Sequence, residues 1–146
     1  MDAKHSDETV HIQLHSSIQH PGQEKETHTF QAIGRYTEKS NSAYLQYEEE
    51  LDGQKIQTIV KLGNEEALIM RSGAIKMRLP LSKVEDRFGE YHNGPVTFKL
   101  QVKTTELNII QEEKRNGKFQ AAYELYAEGS ILGTYELSIT YSEGKQ

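Results

Sequence analysis

Glu49 stands two residues after Tyr47 and two before Leu51, within SAYLQYEEELDGQKIQTIVKLG, Ser42 to Gly63. In an extended chain that spacing puts the three side chains on one face. An Asp-Gly pair between two alternating runs signals a two-residue hairpin loop, because both loop residues need positive φ. Folding back at Asp52-Gly53 sets Leu51 against Gln54, Glu49 against Ile56, Tyr47 against Thr58 and Leu45 against Val60. The face holding Glu49, Tyr47 and Thr58 is therefore the apolar one. A slip of one residue would bury Glu48, Glu50 and Lys61 instead. A carboxylate in that position is either the polar floor of a binding pocket or a structural charge. In both cases it needs a partner, since an isolated buried carboxylate protonates or destabilises the fold.

Other residue types capable of chemistry are scattered. Of the six histidines, His11 and His15 are four apart, which on a strand separates them by roughly 13 Å, too far to hold one ion. They fall on the polar side of their segment, and His5, His20, His28 and His92 lie in tails, loops or strand ends. No convergent ligand set is expected, and neither is a metal or other cofactor. Glu48-Glu49-Glu50 and Glu112-Glu113 are runs of adjacent acids; neighbours on a strand point to opposite faces, so neither run makes a catalytic pair. The chain holds no nucleophile elbow, phosphate-binding loop or dinucleotide fingerprint. Eight tyrosines and no tryptophan are more informative. Tyr47, Tyr123 and Tyr135 fall on apolar faces, and a loop of about three residues, Glu128 to Ser130, sets Tyr123 opposite Tyr135. Buried phenols need hydrogen-bond partners. They are either core tyrosines satisfied by one another or by Thr58, or the convergent polar groups of an internal pocket.

The elements that position these residues are strands. The 146 residues suit one domain, 1–146, with a sizeable core. Fraying is expected over about residues 1–8 and 142–146. The absence of cysteine excludes disulfides and thiolate metal sites. The opening residues MDAKHSDETV contain no apolar run, and no stretch approaches the roughly 18 apolar residues of a membrane span. A soluble cytoplasmic protein with no membrane role is the expectation. A net charge of −5, with bases interspersed among acids as in QEEKRNGK, disfavours a nucleic-acid partner.

Alternation recurs along the chain over Val10–Ile18, Thr27–Tyr36, Ala67–Arg71, Ile75–Leu81, Val96–Thr104, Leu107–Arg115, Lys118–Ala127 and Ile131–Tyr141. Pro21-Gly22, Ser72-Gly73 and Asn116-Gly117 mark turns between them. With the first hairpin this makes about eight to ten strands and almost no helix. Leu81 to Gly94 is the longest connection and reads as a loop or lid with a turn of helix, bringing Phe88 and Tyr91 over a barrel mouth. Sequential hairpins favour an antiparallel up-and-down meander, which must close to remove its edges. An all-β closed barrel follows; a two-sheet sandwich is its competitor.

The runs YLQYEEELDG, TIVKL, IMRSGAIKMRL, GEY, VKTTEL, AAYELYAEG and LGTYELSITY, in that order from about Gly34 to Tyr141, resemble the YwiB-like family of uncharacterised bacterial proteins. The resemblance implies a calycin-like barrel, related in shape to lipocalins, and supplies no activity. Matching positions include Tyr47, Glu49, Arg71, Gly73, Met77, Tyr91, Tyr123, Gly133 and Tyr135; Asn93 departs from the threonine expected there.

Arg71 is the cation proposed for Glu49. A two-residue turn at Ser72-Gly73 would put Arg71 outside, with Leu68, Met70, Ile75 and Met77 inside. A loop over Ser72–Ala74 puts Arg71 inside with Ile69, Ile75 and Met77, and the family match of Arg71 and Gly73 favours that register. The functional expectation is non-catalytic binding of a small, partly apolar molecule by Tyr47, Glu49, Thr58, Arg71, Met77, Tyr123 and Tyr135. The alternatives are a filled barrel that meets a protein partner, and an enzyme using the interior carboxylate.

Overall fold

The computed structural model describes residues 5–113 and 115–143, with the side chains of all but 5–7, 51 and 113. The expected inward placement of the Leu51 side chain, and fraying at 1–4 and 144–146, lie outside the described residues. Ten strands run in chain order: β1 His5–Gln19, β2 Glu26–Lys39, β3 Ser42–Leu51, β4 Gln54–Leu62, β5 Glu66–Gly73, β6 Lys76–Ser82, β7 Arg87–Asn93, β8 Val96–Glu113, β9 Asn116–Ala127 and β10 Ser130–Glu143. Each pairs antiparallel with its sequence neighbours, and β1 pairs with β10 to close the ring. The expected meander barrel is thus the fold, and closure leaves no unpaired edge strand. His5–Glu8 and Ser142–Glu143 fall within β1 and β10.

Two-residue loops set much of the register. Ser40-Asn41, Asp52-Gly53 and Glu128-Gly129 all have positive φ at both positions, 52° and 67°, 53° and 79°, and 52° and 83°. That geometry matches the twist of the strands it joins. The β3–β4 pairs are those the sequence predicts, from Leu45↔Val60 to Leu51↔Gln54. After Glu128-Gly129 an irregularity between Ile131 and Gly133 restores the alternation, so Tyr135 still meets Tyr123.

Three readings of the sequence are corrected. Leu81 to Gly94 is not a long lid: β6 runs to Ser82, and Arg87–Asn93 forms β7. The strand hides in the sequence because its inner-face positions are Arg87, Gly89, Tyr91 and Asn93, which show no apolar alternation. Val96–Thr104 and Leu107–Arg115 are not separate strands: β8 is continuous, with a bulge between Thr104 and Glu106. The bulge switches the inward residues from even-numbered Leu100 and Val102 to odd-numbered Leu107 and Ile109, and that change of phase reads as a break. Asn116-Gly117 is not the turn itself. It opens β9, pairing with Glu113 and Gln111 across a second irregularity.

The β6–β7 ladder is short, with three pairs: Lys76↔His92, Met77↔Tyr91 and Arg78↔Glu90. Pro80 has no backbone N–H to extend it. Gly89 lies so close to β6 that a Cβ there would stand 2.2 Å from the Arg78 carbonyl oxygen. Beyond this point β6 leans on β8, where the Ser82 amide donates to Thr104 Oγ1 at 3.2 Å.

The barrel interior is packed. Val10, Ile12, Leu45, Val60, Val102, Leu107, Phe119 and Ile139 are at most 1% exposed. At the end where β1 begins and β10 finishes, the rings of Tyr36 and Tyr141 stack with centroids 5.7 Å apart. Gly117 makes room for Tyr141: a Cβ there would stand 2.6 Å from the Ile110 carbonyl oxygen and 2.7 Å from the Tyr141 hydroxyl. Gly117→Ala is therefore expected to destabilise by about 1–3 kcal/mol, the usual cost of overpacking. Urea unfolding would show a lower midpoint at an unchanged slope; an unmoved midpoint would contradict the close approach.

Candidate functional site at one barrel mouth

Strand direction alternates around the ring, so the turns after β1, β3, β5, β7 and β9 gather at one mouth. The residues singled out in the sequence converge there. Arg71 points inward. Its Nη2 donates to Glu49 Oε1 at 2.8 Å, and its Nε to Thr58 Oγ1 at 3.5 Å. Arg71 pairs with Met77, not Ile75, so the reversal between the paired residues spans 72–76, two residues more than the loop expected over Ser72–Ala74. An even increment leaves the face of Arg71 unchanged.

The side chains of Arg71 and Glu49 are 28% and 17% exposed, which places the pair at the boundary between core and mouth rather than deep within it. Tyr47, 5% exposed, lies opposite Thr58 and next to Phe30, with ring centroids 6.1 Å apart. Burial, and next the Glu49 carboxylate, push the Tyr47 phenol well above its ordinary 10.0, while Arg71 pulls it back. Tyr123 and Tyr135 stack almost parallel, centroids 5.4 Å apart and planes 8° apart. Burial pushes the Tyr123 phenol up to about 12 against the opposing pull of Arg71, with the neighbouring Tyr135 also raising it. The Tyr135 phenol is raised by burial as well. These phenols stay protonated throughout the physiological range and act as neutral hydrogen-bond donors.

The lid expectation divides. Tyr91 lies on the inner face of β7, beside Met77 on one side and stacked on Phe98 on the other, centroids 6.1 Å apart. Phe88 is on the outer face, 56% exposed, beneath the Lys99 ammonium at 4.7 Å, and takes no part in the mouth. Phe98 and Val96 were not singled out from sequence. They continue the inner face of Leu100 and Val102, yet are 44% and 48% exposed because they stand at the rim. Alternation shows which face they occupy; how far a strand projects past its neighbours is not written in it.

The arrangement is thus an apolar rim of Met77, Tyr91, Phe98 and Val96, leading to a floor of one carboxylate, one guanidinium and several hydroxyls. Among the described residues, no group of three or more His, Asp or Glu could hold a metal ion. His11 and His15 are exposed on the outer wall, as their alternation predicts. Among the described residues, no helix is long and apolar enough to cross a membrane.

Three comparisons bear on identity. The profile of a domain of unknown function, DUF1934, matches residues 12–139. The uncharacterized beta-barrel protein YwiB of Bacillus subtilis (strain 168) is 34% identical over 136 residues, covering 93% of each chain. The crystal structure of ywiB protein from Bacillus subtilis superposes with a TM-score of 0.81 at 28% identity, over 95% of this chain and 94% of that one. With the profile spanning most of the barrel and a relative of this likeness matching nearly end to end, the chain belongs to the DUF1934 family and is similar to YwiB in both sequence and fold.

Proposed function

We propose that this protein is a non-catalytic binding protein, calycin-like in shape and cytoplasmic, that takes a small, partly apolar molecule at the mouth carrying Arg71 and Glu49. One observation supports this above the others. The inner-face side chains Phe98 and Val96 are nearly half exposed at the rim, and the row Phe98, Tyr91, Met77 leads across three strands to Arg71 and its polar partners. Ligand sites have that composition, mostly apolar with a few placed polar groups. A filled barrel would gain nothing from leaving a phenyl ring of its inner face in water.

Native mass spectrometry of the full chain purified from its own host tests the reading. A bound small molecule that is lost in Phe98→Asp would support it. A chain free of small molecules that also fails to bind the neutral apolar dye N-phenyl-1-naphthylamine would overturn it.

A second reading has its own observation. An open groove of about 290 Å³ lies on the outer wall between β1, β2 and β10, lined by His11, Gln13, Gln31, Ile33, Thr140 and Ser142. A protein partner seated there would co-purify with the chain and be insensitive to Phe98→Asp.

A further inference from the structure

Among the described residues, the polar floor of the mouth keeps uncommitted cationic donors on Arg71. A guanidinium carries five N–H donors. Arg71 directs one from Nη2 to Glu49 and one from Nε to Thr58, and the remaining three have no partner among the described residues. The hydroxyls of Tyr123 and Tyr135 likewise donate to nothing among the described residues, while their stacked rings hold them side by side. Among the described residues one anionic acceptor stands uncommitted against these donors, Glu49 Oε2; the phenol oxygens can accept as well as donate but carry no charge. Two and three strands round the wall from Arg71, Tyr91 and Phe98 stack with planes 24° apart, presenting flat apolar surface, and Met77 lies between Arg71 and Tyr91.

From this juxtaposition we infer that the ligand class is a small monocarboxylic acid with a flat apolar body. Its carboxylate accepts from Arg71, and its body lies along the rim of Tyr91 and Phe98. This rests on the mouth being a ligand site at all. A planar guanidinium with a free edge matches a carboxylate with two parallel hydrogen bonds, which a neutral ester or amide cannot form. Glu49 has a second role in the arrangement. It holds the guanidinium in place through Nη2, and its own negative charge weakens the attraction for an incoming anion. The pair orients the cation at some cost in affinity and discriminates against acids that lack an apolar body.

The test is isothermal titration calorimetry of the full chain with 1-naphthylacetate and with its methyl ester, in wild type, Glu49→Gln and Phe98→Ala. The Glu49→Gln substitution keeps an amide oxygen that can still accept from Arg71, so the floor stays folded; the thermal midpoint checks this. The acid is expected to bind wild type at least about tenfold more tightly than the ester, about 1.4 kcal/mol. Glu49→Gln should tighten the acid by about a further tenfold and leave the ester unmoved, while Phe98→Ala should weaken both alike. If acid and ester bind equally, and Glu49→Gln moves neither, the carboxylate inference is overturned while the mouth remains a ligand site. If neither compound binds, nor N-phenyl-1-naphthylamine, both the inference and the site reading fall. The comparison of acid with ester in wild type decides the inference without any variant.

Discussion

Arg71→Met is expected to lower the stability of the barrel by about 3 kcal/mol, the lower end of the roughly 3–5 kcal/mol that breaking a buried ion pair costs. The lower end applies because both side chains keep some contact with water, 28% for Arg71 and 17% for Glu49. The loss comes mainly from what is left behind. Glu49 would face Ile56 across the hairpin, beside Tyr47, with no cation at 2.8 Å. The double variant Glu49→Gln, Arg71→Met removes the stranded charge and should recover part of the loss, giving a coupling energy of the size seen between groups in direct contact. Urea unfolding of the two single variants and the double variant measures it. A change below about 0.5 kcal/mol in Arg71→Met, the range of ordinary surface substitutions, would mean that the pair is not formed.

Phe119→Ala is expected to cost about 3–5 kcal/mol, the range for deleting a buried phenyl ring. Phe119 is fully buried, and its β-sheet neighbours are Ile109 on β8 and Ile139 on β10. Phe98 provides the contrast. It occupies the same kind of inner-face position, but 44% of it is exposed, so Phe98→Ala should cost only about 1 kcal/mol. Thermal or urea unfolding of the two variants side by side separates a ring that fills the core from one that lines an opening. Similar losses in both would mean that the mouth is closed in solution and that Phe98 seals it.

The parts of this structure that were legible in the sequence share a physical cause. The β3–β4 hairpin was fixed twice over, by the positive-φ preference of Asp52-Gly53 and by the alternation of each strand. Glu49 could be placed inside on that basis alone. Its partner was reachable only through the family match of Arg71 and Gly73, because the two turn lengths open to the sequence have opposite parity; the reversal between the paired Arg71 and Met77 is two residues longer than the one chosen, and Arg71 still points in. Where parity itself changes, the reading failed. The bulge after Thr104 made one strand look like two, and the irregularity between Gln111 and Glu113 moved the reversal ahead of Asn116-Gly117. Strand β7 was invisible for another reason, since arginine, glycine and asparagine occupy three of its four inward positions. Its location decides which aromatics reach the mouth. Tyr91 reaches the mouth from a strand rather than from a lid, and Phe88 lies on the outer side of the wall.

The three-rung ladder between β6 and β7 has a consequence for motion. A closed ring of strands has no loose end, so its weakest seam decides how it breathes. Separating Lys76–Arg78 from Glu90–His92 gives up few hydrogen bonds and turns the cylinder into a curled sheet that its other seams still hold together. Such an excursion is local unfolding, far cheaper than melting the fold. The hinge for it exists on the β6 side, where Pro80 interrupts the ladder and Ser82 remains tethered to Thr104 on β8. Met77 and Tyr91 form the middle rung of that same seam. The seam with three rungs is therefore part of the wall of the mouth, so opening it would widen the mouth itself.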